Sequence, residues 1–423
     1  LNTIDFYDHK TTLKSRYTLM NVLSRNSLDE NVKCSKYLRL GSIIQLANYV
    51  QLAIANGAPQ DALRNATLMS KTVKNIAKLY DDPSVVSQIE KLASFTSANA
   101  LWESREYKAP VMIMRDLLAQ NEKNISESIL YDDFKLLINV PMDQIKARLV
   151  KWSSESRLEP AAAIYEKIIV NWDINVEDHE SCSDVFYTLG SFLDEQAQKL
   201  RSNGEIEDRE HRSYTGKSTL KALELIYKNT KLPENERKDA KRHYNRVLLQ
   251  YNRDSEVLKA LLLQKEKFLW HALHFYLNTL VFSNRYDNDI IDKFCGLWFE
   301  NDDNSKINQL LYKEIGTIPS WKFLPWVNQI ASKISMEENE FQKPLQLTMK
   351  RLLYKLPYDS LYSVMSILLY EKQSNKDTNI SQKIQAVKKI LLELQGYDRG
   401  AFAKKYLLPV QEFCEMSVEL ANL

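Results

Sequence analysis

Residues Asp184–Leu200 read DVFYTLGSFLDEQAQKL. Val185, Leu189, Phe192, Leu193, Gln196 and Leu200 recur mostly three or four positions apart. That spacing places side chains on one stripe of a helix. Asp194, Glu195, Gln198 and Lys199 fall between them and are polar. One apolar stripe with a polar remainder makes an amphipathic helix, so the stretch predicts a helix with one buried face.

The same periodicity extends to both sides, and on the N-terminal side it comes in pairs. Leu92, Phe95, Ala98 and Trp102 share a face, Arg105–Lys108 is a polar break, and Val111, Met114, Leu117 and Leu118 form the next stripe. About 50 residues on, the layout returns with Ile145, Leu149 and Trp152, a break at Ser153–Arg157, then Ala162, Tyr165, Ile168 and Ile169. This helix-turn-helix layout resembles degenerate tetratricopeptide-type repeats, whose period is about 34 residues. A single such unit cannot bury its own apolar face, so the units are expected to stack.

On the C-terminal side the stripes lengthen and become more aromatic, as in Glu266–Phe282. Polar breaks are expected at Arg201–Arg212, Pro233–Lys238, Asn301–Lys306 and Gln373–Asn379. No alternating strand pattern with hairpin turns occurs. The expected fold is all-α, an α-solenoid of stacked antiparallel helix pairs, TPR-like over 1–180 and HEAT-like over 181–423.

Composition agrees with helices. The 423 residues contain nine glycines and 11 prolines, with 44% hydrophobic residues. Phosphate-binding α/β folds need glycine at tight turns and phosphate loops. The 57 Lys+Arg against 55 Asp+Glu give a net charge of +2, which supplies no global field for nucleic acid. No direct nucleic-acid contact is expected. Cys34, Cys182, Cys295 and Cys414 are scattered and form no CxxC, which suits a reducing compartment. No apolar run reaches membrane-span length and no signal peptide is present. The chain begins at Leu1 and stops at Leu423 within a periodic segment, so both ends are expected to have been cut from something longer.

Motifs that carry chemistry are nearly absent. Gly216-Lys217-Ser218 looks like the end of a P-loop, but the position five residues before Gly216 is His211. The stretch therefore reads as a loop before a helix. His271 and His274, three apart, could face one metal, but no further ligand stands at a defined spacing. They read as a surface or packed pair. Arg237–His243 is the densest basic cluster; Asp239 interrupts it, and it reads as a solvated helix face. Trp298 and the Trp321–Trp326 stretch read as core. Trp298 shares a stripe with Phe294 and Cys295, and Trp321 lies beside Phe323 and Leu324. Leu101, Leu297 and Leu324 are likewise expected in the core. GxSxG and the kinase HRD and DFG signatures do not occur. No catalytic, cofactor-binding or metal-binding residue is assigned, and no enzyme activity is expected of the chain itself.

Four segments carry a resemblance: Asp184–Leu200 above, Ile290–Asn301 (IIDKFCGLWFEN), Ile318–Ile334 (IPSWKFLPWVNQIASKI) and Val410–Leu423 (VQEFCEMSVELANL). In order and rough spacing they resemble the FAT region of ATM-type kinases, in the PI3-kinase-related family. The Asn- and Lys-rich loops resemble its budding-yeast type. The resemblance covers 180–423 well and 1–180 only as helical repeats. It implies a C-shaped α-solenoid that wraps a Ser/Thr kinase domain and regulates it. It implies a nuclear protein of DNA double-strand-break signalling and telomere maintenance. The implied partners are the kinase domain of the same polypeptide, a second copy in a homodimer, and a DNA-break-sensing complex reached through other regions. ATP and magnesium would bind in the kinase domain, outside this chain. Ser87-Gln88 and Ser381-Gln382 are the acceptor dipeptides such kinases favour. Alternatives are a stand-alone helical scaffold, an all-α small-molecule enzyme, or the FAT region of a sister kinase of the ATR or TOR type.

Overall fold

The computed structural model describes residues 3–26, 32–77, 83–120, 140, 142–156, 159–169, 179–229, 232–337, 339–371, 378–396 and 400–421. Among these residues every regular element is helical and there is no strand. The chain divides into two units, Leu1–Ser181 and Cys182–Leu423.

The first unit holds α1 (Thr3–Asn26), α2 (Val32–Ala55), α3 (Pro59–Ala77), α4 (Pro83–Glu103), α5 (Lys108–Gln120), α6 (Met142–Glu155) and α7 (Ala161–Ile164). A π-helical turn, Tyr165–Ile169, extends α7. Each helix from α1 to α6 packs on the next in sequence, the arrangement of stacked antiparallel pairs. Pro59 and Pro83 are first helical residues, where a missing N–H costs nothing and φ is preset. The first sequence-paired motif and the first helix of the second share one core. Phe95, Ala98, Val111, Met114, Leu117, Ile145, Leu149 and Trp152 cluster together, and Trp102 stacks on Trp152 at 4.7 Å.

The second unit starts within α8 (His179–Ser202). Then come α9 (Glu205–Lys228), α10 (Glu234–Phe282), α11 (Asp287–Glu300), α12 (Ser305–Glu314), α13 (Val327–Lys333), α14 (Gln342–Lys355), α15 (Pro357–Glu371), α16 (Thr378–Gln395) and α17 (Leu408–Ala421). Two 3-10 turns, Ile315–Thr317 and Ser320–Trp326, link α12 to α13, and a π turn, Ala403–Leu407, leads into α17.

Two expected breaks turn out differently. Of Arg201–Arg212, only Asn203 and Gly204 are non-helical. Gly204 sits at φ 67°, which lets α8 pass directly into α9. Pro233 is the N-cap of α10, so Glu234–Lys238 is helical. Gln373–Asp377 lies outside the described residues. Glu266–Phe282 is the last third of a 49-residue helix. Polar composition misled here because α9 and the first half of α10 pack mainly on each other. From Glu234 to Lys267 only Asp254 is buried. Its carboxylate accepts hydrogen bonds from Arg209 at 3.2 Å and Gln250 at 2.9 Å, pinning the two helices together.

Candidate functional site

The stripe that began the sequence reading is buried as expected. Val185, Leu189, Phe192 and Leu193 are all 4% exposed or less. Gly190 lies on the same side. A Cβ there would come within 2.8 Å of the Tyr276 ring, so only glycine allows this approach of α8 to α10. Asp194, expected on the solvent side, is instead 3% exposed. It accepts hydrogen bonds from the Tyr276 hydroxyl at 3.0 Å and Gln198 Nε2 at 2.8 Å. Burial pushes its carboxyl above the usual range, against both hydrogen bonds and the Lys293 charge. Burial also raises the Tyr276 hydroxyl.

Asp194 sits in the floor of a cleft of about 520 Å³ between α8, α10 and α11. Ala197, Leu269 and Leu297 form apolar walls, and the rim carries Gln198, Arg201, Lys265, Lys293, Glu300 and Asn301. Arg201 and Glu300 pair across it at 2.8 Å. Gly296 also lines it, inside α11, although nothing lies within 4 Å of where its Cβ would be. Its φ is not positive either. A helix-interior glycine with neither reason costs roughly 1 kcal/mol relative to alanine. Neither a histidine nor a cysteine lines the cleft. Leu297, named above as core, is half-buried because it lines this opening.

The other singled-out residues do not converge on one place. Gly216 is neither a phosphate loop nor a loop of any kind. It lies mid-α9, where a Cβ would be 3.2 Å from Tyr251 of α10. His271 and His274 stay apart in role. His271 Nδ1 faces the Lys267 carbonyl at 3.1 Å, and burial lowers its pKa. His274 stacks on Trp270, and its Nδ1 lies 3.3 Å from Glu314. No cluster of three metal-ligating side chains exists among the described residues. In the basic cluster Lys238, Lys241, Arg242 and His243 are exposed. Lys238 pairs with Glu234 at 2.7 Å and Arg242 with Asp239 at 3.4 Å, as a solvated face requires. Ser87 is exposed on α4; the side chain of Ser381 lies outside the described residues. Cys182 and Cys295 are buried, Cys34 is exposed, and none of the four cysteines forms a disulfide.

The tryptophans separate. Trp298 is 0% exposed, packed near Phe294 and Phe341. Trp321 is 47% exposed, against expectation, and Leu324 is half-buried. Ser320–Trp326 is 3-10 helix containing Pro325, so the α-helical spacing that placed Trp321 inside does not apply. Phe323 and Lys322 take the inner positions, 0% and 3% exposed. Lys322 Nζ donates to the carbonyls of Leu280 and Ser283, both at 2.7 Å, and to Asp287 at 2.8 Å. It thus closes the C-terminal end of α10, where carbonyls lack helical partners and the dipole favours a cation. Nothing in the sequence marked this lysine, because apolar periodicity says nothing about polar residues that turn inward.

Comparison with known proteins adds identity to this geometry. No protein-family model matches the chain. A curated relative, the serine/threonine-protein kinase TEL1 of Eremothecium gossypii, is 34% identical over the whole chain. A solved structure titled "Tel1 kinase butterfly symmetric dimer" matches the whole chain at 97% identity with a TM-score of 0.86. The chain belongs to the Tel1 family of serine/threonine-protein kinases. It spans 16% of the length of the Eremothecium relative and 18% of that solved chain. A further structure, "FAT and kinase domain of CtTel1", shares the fold over 93% of this chain at 20% identity, with a TM-score of 0.72. The FAT-region resemblance read in the sequence is matched there at the level of the fold. No helix among the described residues is long and apolar enough to cross a membrane.

Proposed function

We propose that this chain wraps the kinase domain of its own polypeptide and controls it by shape. The carrying observation is a Tel1-kinase match along the whole chain on a fold of stacked helices. Such arrays contact mainly their neighbours and bend as spring-like bodies. Residues 1–180 act as TPR-like repeats, and 181–423 as the HEAT-like part nearer the kinase. The intact protein is then a nuclear Ser/Thr kinase of double-strand-break signalling and telomere maintenance. It works as a homodimer, with ATP and magnesium held in the kinase domain and the break-sensing complex engaged elsewhere. An activator shifts the clamp between two packings only by binding one of them better.

The test compares core substitutions in the two units of the full-length kinase. Leu352→Ala lies in the second unit and Met114→Ala in the first; both parent side chains are 0% exposed. Leu297, Leu324 and Leu101, expected in the core, are only half-buried and would report on packing less directly. Activity per folded molecule is measured with and without activator. The second-unit variant is expected to change activity, and the first-unit variant mainly abundance. If both lower only abundance, the segment is a passive scaffold.

A further inference from the structure

The cleft of α8, α10 and α11 has features that packing alone does not require. Lys265 and Lys293 stand on its rim and form no hydrogen bond or ion pair with the described residues. Gly296 keeps one wall open where a larger side chain would meet nothing but the cleft. Leu269 and Leu297 offer apolar surface next to these cations. With Arg201 and Glu300 satisfying each other, the two free lysines face the single buried carboxylate of Asp194. One positive charge is left over. Both oxygens of Asp194 are already engaged, Oδ2 by Tyr276 and Oδ1 by Gln198.

From this geometry we propose that the cleft binds one carboxylate side chain of a partner polypeptide, held between Lys265 and Lys293, with a neighbouring apolar side chain against Leu269 and Leu297. The size fits, since ligand-binding clefts measure roughly 300–1,000 Å³. The charge fits a monoanion better than a polyanion. A polyphosphate would bring several negative charges against Asp194 and Glu300, and like charges in a partly enclosed site repel.

The probe is the blocked peptide acetyl-Leu-Glu-Leu-amide, titrated against the 423-residue chain by ligand-observed NMR, with acetyl-Leu-Gln-Leu-amide and tripolyphosphate as competitors. The Glu peptide is expected to bind in the millimolar range, about two- to fivefold more tightly than the Gln peptide, the scale of a partly exposed ion pair. Lys265→Gln with Lys293→Gln is expected to abolish that preference while leaving the circular dichroism spectrum unchanged. Gly296→Leu, filling the cleft, is expected to abolish binding of both peptides. Equal binding of the Glu and Gln peptides, an unchanged preference in the double-lysine variant, or tighter binding of tripolyphosphate than of the Glu peptide would each overturn the proposal.

Discussion

Replacing Lys322 by Met keeps most of the side-chain stem and removes only the ammonium. Three acceptors lose their donor at once: the Leu280 and Ser283 carbonyls and the Asp287 carboxylate. The lysine side chain is 1% exposed and that of Asp287 16%. Removing one partner of a buried ion pair costs about 3–5 kcal/mol, because the other charge stays behind. Asp287 retains some water, which moves the estimate toward the lower end. The end of α10 also loses its cation at the negative pole of the dipole, worth about 0.3–1 kcal/mol. A loss of about 3 kcal/mol follows, or roughly 6–12 °C in melting temperature for a unit of this size. Thermal unfolding followed by circular dichroism checks it, with Asp287→Asn alone and in combination. The double variant should be less destabilised than the sum of the singles, since the two side chains share one bond. A shift under 1 °C for Lys322→Met would refute the claim that this lysine holds the end of α10.

Trp298→Ala is expected to cost about 3–5 kcal/mol, as for a fully buried aromatic, while Trp321→Ala should cost under about 1 kcal/mol; denaturant titration of both separates the two environments. Gly190→Ala should destabilise by about 1–3 kcal/mol through overpacking against Tyr276, and a Tyr276→Leu background should relieve part of that loss in the same assay. For Asp194, burial raises the folded-state pKa above the ordinary carboxylate value, so its contribution to stability is fully present below that value and declines as pH rises through the higher folded pKa. Compared with Asp194→Asn, the parent chain should therefore lose relative stability between pH 4 and neutrality, and parallel stability curves over that range would contradict the assignment.

The architecture was legible in the sequence because apolar spacing alone determines which faces must be covered. Leu92, Phe95, Val111 and Met114 fell where the stripes placed them. What the spacing hid was of two kinds. Polar residues that turn inward, such as Asp194 and Lys322, look like solvent-facing positions until a partner on another helix is known. Departures from the α-helical period, as at Ser320–Trp326, shift every later position by a fraction of a turn and exchange inside for outside. The cleft was invisible for a related reason. Asp194, Lys265 and Lys293 come from three helices, and only Gly296 gave a local sign, as a helix-interior glycine without a turn to make.

The length of α10 has a mechanical consequence. At 1.5 Å per residue its 49 residues measure about 74 Å. The portion from Phe268 onward is rooted among buried side chains, and the portion before it is supported chiefly by α9. From Tyr244 to Phe268 is about 36 Å, and the rooted portion is about 21 Å. A sideways load near Tyr244 therefore acts through a longer arm than the one resisting it. It reaches the packing around Tyr276 and the Lys322 anchor amplified as torque. The rod is stiff, so yielding would begin at that root, next to the cleft wall formed by Leu269.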